Sequence, residues 1–231
     1  KIITQIFKYI PSEAHNSTTK YHVLNRQFNE LFYFLADSDE FTVTFRSLDS
    51  IKTLNLPAVR LKDFHIDFIT SMKKMEFKYL GQHETGLLTI PTFGIQNMDH
   101  FFSRLDSVFT DLKSKNAQNL ILDLRDNAGG HPIFAAQLFS YLTNKEFIYF
   151  KRNEEVEEFE PLYGEMHPNK LNFNGNLFVL IDGGCLSTTG HLISLLKVNT
   201  DAVFIGEEPG SAFSCMEKRA ISTSPPSSLG L

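Results

Sequence analysis

Two short segments of the chain each combine a continuous apolar run, a pair of adjacent glycines and a second run with helical spacing. The first is LILDLRDNAGGH at residues 120–131, and the second is LFVLIDGGCLSTTGHLISLL at residues 177–196. A short apolar run is typical of a strand covered on both faces, and a glycine pair ends such a strand and lets a ligand approach the main chain. Each segment therefore predicts a buried strand that turns into a helix. Two such units favour an α/β fold with a mainly parallel sheet.

The second segment places Ser187 at the expected start of its helix. The first N–H groups of a helix have no partner inside it, and the peptide dipoles favour negative charge at that end. The N–H of Thr188 and an N–H of the Gly129–Gly130 turn are therefore candidates for holding the oxyanion of an acyl-transfer intermediate. Asp123 and Arg125 are predicted to form an ion pair that fixes this turn. A serine after a glycine turn is more often only an N-cap, so position alone does not distinguish a nucleophile from a cap.

The order of the two segments resembles the signature of the tail-specific, or C-terminal processing, serine peptidases, including their tricorn-like relatives. Members of that family carry a D-L-R-x-N-x-G-G turn and, later, a strand, a glycine and S-A-S-A-S-E with the middle serine as nucleophile. The chain has DLRDNAGG at Asp123–Gly130 and GGCLSTTGH around Ser187. The similarity extends from about Gly86, where GLLTIPTF resembles the first core strand of the family, to about Gly210.

The resemblance implies a serine endopeptidase that hydrolyses peptide bonds through an acyl-enzyme on Ser187, with Gly129 or Gly130 and Thr188 stabilising the oxyanion. It implies a crotonase-like, or ClpP-like, α/β core, and a peptide or unfolded protein as substrate, bound as an added strand. It also implies export to a periplasm or cell envelope. Two other functions stay open. One is a peptide-binding member of the same fold without activity, and the other is a crotonase-like acyl-thioester enzyme that uses the same backbone donors without a serine nucleophile.

The base that activates the serine is not assigned by the sequence. Many family members place a lysine in a G-x-x-T-x-G-K turn, but the matching segment is GEEPGSA, with Ser211 at the lysine position. Tricorn-like members resemble a Ser–His arrangement whose histidine precedes the core, and the chain is expected to begin after that point. His131 follows the glycine pair and is expected to be a polar surface group. His191, one helical turn after Ser187, is expected to pack within an apolar helix.

The chain is predicted to divide into three parts. These are a partial PDZ-like or cap region at 1–50, a linker with the first strands at 51–85, and a serine peptidase core at 86–231 that is truncated at its C-terminus. Apolar periodicity predicts helices over 2–10 and 24–35 and a helix with Asp99 near its cap. It predicts strands at 41–45, 58–61, 76–80, 87–92, 119–124, 147–150 and 203–205, the last two flanking the segment that contains Ser187.

Composition excludes several classes of protein. The 231 residues are 42% hydrophobic, enough for one sizeable core, and the net charge of −5 gives no basic footprint for nucleic-acid binding. No apolar run approaches the roughly 18 residues that span a bilayer. No HExxH pair, P-loop or GxGxxG turn occurs, so no metal or organic cofactor is expected. Cys185 and Cys215 are too few for a disulfide framework, and Cys185 is expected to be a small buried thiol. The oligomeric state is left open.

Overall fold

A computed structural model of the protein describes residues 2–13, 16–33, 35, 38–48, 50–59, 74–94, 97–150 and 157–212. The helices are α1 (Ile2–Tyr9), α2 (Thr18–Tyr33), α3 (Met98–Ser114), α4 (Pro132–Ser140) and α5 (Thr188–Asn199). The strands are β1 (Glu40–Ser47), β2 (Ser50–Pro57), β3 (Glu76–Leu80), β4 (Thr85–Thr89), β5 (Asn119–Asp123), β6 (Phe147–Ile148), β7 (Glu165–Met166), β8 (Asn176–Ile181) and β9 (Val203–Gly206). Short 3₁₀ helices occupy Gly81–His83 and Glu157–Leu162.

The centre of the molecule is a five-stranded sheet with the order β3-β4-β5-β8-β9. β4, β5, β8 and β9 run parallel, and β3 pairs antiparallel with β4 at one edge. The expected α/β fold with a mainly parallel sheet is therefore confirmed. Because β5 and β8 are parallel neighbours, the turns that follow them emerge at the same edge of the sheet. These turns are the two glycine pairs singled out by the sequence.

Apolar side chains of the sheet and of three helices form one core. In β5, Leu120 and Leu122 are fully buried, and in β8 Val179 is fully buried opposite Leu122. One face of α3 packs against these strands. Its buried side chains are Phe101, Leu105, Val108, Phe109 and Leu112. This spacing of three and four residues is that of one helix face, which is why the sequence pattern located α3. Burial of such side chains contributes about 1.5–3 kcal/mol each relative to exposure.

Several predicted elements lie where the sequence placed them, and others need correction. β3 occupies Glu76–Leu80 as predicted, and α4 begins at Pro132. The strand predicted at 87–92 is β4 at Thr85–Thr89, because the chain then leaves the sheet to meet the Gly130 turn. The strand predicted at 147–150 is only two residues long. It pairs with β7 in a separate ribbon and does not flank β8, whose neighbours are β5 and β9.

The N-terminal part consists of α1, α2 and a hairpin of β1 and β2. The hairpin pairs Glu40–Ser47 with Ser50–Pro57 in antiparallel register, and most of its residues are exposed. The sequence predicts a strand at 58–61. The structure instead ends β2 at Pro57, and residues 60 and 61 lie outside the described part of the chain. The domain boundary predicted after residue 50 falls at the first residue of β2. No helix in the described ranges has both the length and the apolarity required to cross a membrane.

Candidate active site

The two glycine turns touch one another at the carboxyl edge of the sheet. A methyl group placed on Gly129 would lie 2.9 Å from Ser187 Cβ and 3.0 Å from the Thr188 nitrogen. The Thr188 hydroxyl donates to the Gly130 carbonyl at 2.5 Å, and the Leu186 N–H donates to a carbonyl of the first turn. The structure therefore brings all four residues singled out by the sequence into one cluster.

Ser187 stands between the second glycine turn and α5 in an unusual backbone conformation. Its φ is 50° and its ψ is −125°, a combination that an L-residue adopts only at a cost of about 1–3 kcal/mol. The residue is exposed, and its side chain makes no capping hydrogen bond to the helix. It therefore does not act as an ordinary N-cap, which would have an extended backbone and an accepting hydroxyl. A serine on a strained turn between a strand and a helix is the arrangement that presents a nucleophile to a substrate.

A buried asparagine holds the first turn in shape. The Asn127 side chain is fully buried, donates to the Ile90 carbonyl at 2.9 Å and accepts the Gly129 N–H at 2.9 Å. The Gly129 N–H is therefore already engaged within the turn. Among the described residues, nothing accepts a hydrogen bond from the N–H of Gly130 or of Thr188. These two groups are the available donors of the cluster.

The pairing of the first turn fixes the direction of the Gly130 N–H. Phe93 forms hydrogen bonds with one edge of the extended segment 129–131. Its N–H donates to the Gly129 carbonyl (2.9 Å), and its carbonyl accepts the His131 N–H (2.7 Å). In an extended segment the N–H and C=O of the intervening residue point to the opposite edge. The Gly130 carbonyl on that edge accepts the Thr188 hydroxyl. The Gly130 N–H therefore faces the side of the segment on which Ser187 and α5 lie.

Neither histidine near the turn is positioned as an obvious base. The Nδ1 atom of His131 accepts the Ile133 N–H at 3.2 Å and so caps α4, a role that the sequence did not anticipate. His191 stacks on Phe150, with ring centroids 5.1 Å apart, and burial lowers its pKa to about 4. Its expected packing role is confirmed. Within the described ranges, no side chain makes a hydrogen bond to the Ser187 hydroxyl.

Other predicted residues support the turns or are chemically inert. Asp123 and Arg125 form the expected ion pair, with Arg125 Nη2 2.7 Å from Asp123 Oδ2.

Cys185 is fully buried and donates its thiol to the Leu124 carbonyl at 3.1 Å. Burial raises the pKa of this thiol to about 12, so it stays neutral beside the serine turn. Ser211, at the position of the family lysine, is buried against α5, where its Cβ would lie 2.2 Å from a methyl group on Gly190.

Sequence reasoning missed a polar cluster that lies behind both turns. His22 of α2 lies beside Asp126 of the first turn and Asp182, the residue that follows β8. One nitrogen of His22 and one oxygen of each carboxylate all lie within 4.8 Å of one another, the spacing of atoms that could bind a metal ion. The two carboxylates are compensated already. The Arg26 guanidinium bonds to Asp126, and Asp182 Oδ1 accepts two backbone N–H groups. His22 also presents a different ring nitrogen to each carboxylate, whereas a single metal ion binds only one. The cluster therefore has the character of an ion-pair network and not of a metal centre.

The comparisons with known proteins define the family. The model described as Peptidase family S41 matches residues 84–227, which is more than half of the chain. The chain therefore belongs to peptidase family S41, a family of serine-type peptidases, and the expected resemblance to the tail-specific peptidases is confirmed. A search of curated protein sequences finds no match.

Solved structures support the same fold. A structure of mature CPAF is 14% identical, with a TM-score of 0.59, and the match covers 90% of this chain and 61% of that chain. A structure of mature CPAF complexed with lactacystin is also 14% identical, with a TM-score of 0.58, covering 90% of this chain and 62% of that one. This chain thus spans less than two thirds of the length of these structures. At such identity the likeness shows the fold alone.

Proposed function

We propose that this chain carries the active centre of a serine endopeptidase, with Ser187 as the nucleophile. The observation that supports the proposal best is the contact between the two turns. An exposed serine on a strained turn lies beside two backbone N–H groups, those of Gly130 and Thr188, that have no acceptor among the described residues. Preorganised donors of this kind stabilise the charge that develops on a carbonyl oxygen under attack, and loss of one typically costs about 10²–10³ in turnover.

The proposed reaction proceeds through an acyl-enzyme. The Ser187 oxygen attacks the peptide carbonyl carbon while its proton passes to a base, and the carbonyl oxygen becomes an oxyanion held by Gly130 and Thr188. The tetrahedral intermediate then expels the amine, which takes up a proton, and leaves an ester on the serine. Attack by water on that ester releases the acid and restores the hydroxyl. The Gly129 N–H is not proposed as a donor, because Asn127 accepts it. Gly129 contributes the absence of a side chain where the turns meet.

The finer architecture and setting are proposals of the same kind. We propose a crotonase-like core over residues 86–231, a linker with the first strands at 51–85, and a partial PDZ-like or cap region at 1–50. The parallel sheet and the resemblance of the signature segments support this assignment. Substrates are proposed to be extended peptides or unfolded proteins bound as an added strand. Export to a periplasm or cell envelope is proposed from the family resemblance.

The test is covalent labelling with a fluorophosphonate. We expect stoichiometric labelling of the wild-type chain, no labelling of Ser187→Ala, and normal labelling of Ser194→Ala, a serine control in the same helix. Mass spectrometry of the peptide that contains residue 187 locates the adduct. Equal labelling of the wild type and Ser187→Ala would contradict the proposal.

Two further outcomes would favour the other functions that the sequence left open. Absence of labelling in a chain that still binds a peptide would favour a peptide-binding member of the fold. Saturable binding of an acyl-CoA would favour an acyl-thioester enzyme.

A further inference from the structure

The first turns of α2 lie directly on the turn that carries Ser187. A methyl group on Gly183 would come within 2.6 Å of the Thr18 carbonyl oxygen and 3.1 Å of His22 Cβ. A methyl group on Gly184 would lie 2.6 Å from His22 Nε2. These two glycines therefore leave space for α2, which is a different reason for their presence from simply ending β8.

The ring of His22 connects the two turns from this side. Its Nε2 atom lies 3.2 Å from Asp126 Oδ1, and its Nδ1 atom lies 3.8 Å from Asp182 Oδ2. Only 16% of the His22 side chain is exposed, against 18% for each carboxylate, so water screens these contacts only in part. Arg26, one helical turn further along α2, bonds to the second oxygen of Asp126. The helix thus contributes two side chains to one carboxylate.

Both carboxylates stand at the base of the proposed active centre. Asp126 lies three residues before Gly129 in the first turn, and Asp182 begins the turn that ends at Ser187. Asp182 Oδ1 accepts the N–H of Asp126 at 3.0 Å and that of Gly184 at 2.9 Å, so the turns are also linked to each other. A change in the orientation of the Asp182 carboxylate is therefore transmitted to the main chain of both turns.

We propose that His22 is a positioning residue for the Ser187 centre: it clamps the two turns through Asp126 and Asp182 and so holds the oxyanion donors in register with the serine. The proposal rests on the proposed function and deepens it. His22 contacts no substrate in this role. Its effect comes from geometry, because misplacement of catalytic groups by about 1 Å can cost about 10²-fold in rate. Supporting residues of this kind fix the rotamers and loops on which donors depend.

The test compares three variants by the kinetics of fluorophosphonate labelling. His22→Ala is expected to lower the limiting rate of labelling about 10- to 100-fold. The fluorophosphonate concentration that gives half of the limiting rate is expected to change less than about threefold. His22→Gln keeps a polar side chain at this position and is expected to recover part of the rate. His167→Ala is the matched control, because His167 forms an exposed pair with Glu146 at 3.1 Å, away from the turns, and is expected to label like the wild type.

Amide hydrogen exchange provides a readout that does not require activity. In His22→Ala we expect faster exchange in residues 126–130 and 183–188 together, with exchange in β5 and α3 unchanged. A wild-type chain that fails to label would refute the proposed function, and the exchange data would still decide the role of His22. Normal labelling of a folded His22→Ala, or unchanged exchange in both turns, would overturn the positioning role.

Discussion

Replacing Gly129 with alanine introduces a methyl group at the point where the two turns meet. The new carbon would lie 2.8 Å from the Leu186 carbonyl oxygen, 2.9 Å from Ser187 Cβ and 3.0 Å from the Thr188 nitrogen. Two of these three atoms belong to the main chain, so no flexible side chain can simply rotate away. The φ of Gly129 is 97°, which an L-residue with a side chain rarely adopts.

The size of the effect expected for Gly129→Ala follows from these distances. Ordinary contacts between non-bonded carbon atoms are about 3.5–4.0 Å, so the turns must separate by roughly 0.5–1 Å to accept the methyl group. A displacement of that size at reacting atoms is expected to lower the rate of labelling about 10²-fold. The backbone conformation adds about 1–3 kcal/mol of strain, which should appear as a loss of stability. Activity and stability are therefore both expected to fall.

The assay measures fluorophosphonate labelling rates together with the free energy of unfolding in urea. Gly164→Ala is the matched control, because a methyl group there has no heavy atom within 4 Å in the described part of the chain. We expect Gly164→Ala to behave like the wild type in both measurements. If Gly129→Ala labels at the wild-type rate, the contact between the turns does not define the active centre and the reasoning is refuted.

Two other predictions concern stability. Burial lowers the pKa of His191 to about 4, against 6.5 in a free side chain, so below pH 6.5 the unfolded chain takes up a proton that the folded chain does not. This difference should make the protein about 2 kcal/mol less stable at pH 5 than at pH 7. His191→Phe should lose this part of the pH dependence in urea unfolding, and an unchanged dependence would contradict the prediction. Ser187→Gly should be about 1 kcal/mol more stable than Ser187→Ala, because glycine accepts a φ of 50° without strain. Equal stability of the two variants would show that the serine turn is not strained.

The parts of the fold that the sequence predicted well are those set by local pattern. β5 and β8 were recognisable because each is a short apolar run that ends at glycines, and parallel pairing then follows from the intervening helix. α4 was recognisable from Pro132 at its first position. The choice between Gly129 and Gly130 as donor was not predictable. It depends on the Asn127 side chain, which accepts the Gly129 N–H, whereas the Gly130 N–H has no acceptor in the described part of the chain.

The N-terminal contribution to the site was invisible for a physical reason. His22 lies more than 100 residues from Asp126 and 160 from Asp182 along the chain, and a single histidine on a helix carries no periodic signal. β2 was misplaced because both of its faces are largely exposed, so burial imposes no alternation on its sequence. The sequence located the turn that carries Ser187 but not the helix that packs against it.

The glycine pair Gly183–Gly184 connects the turn that carries Ser187 with α2, the helix whose contribution the sequence did not predict. The sequence pattern predicts only the end of a strand there, yet in the structure the same two glycines lie directly against α2. The family match begins at residue 84, whereas the helix that contacts this pair lies at Thr18–Tyr33. We infer that α2 and the peptidase core form one packing unit at this edge. A helix that packs on the serine turn and pairs with carboxylates in both turns cannot move without changing the geometry of the proposed oxyanion donors.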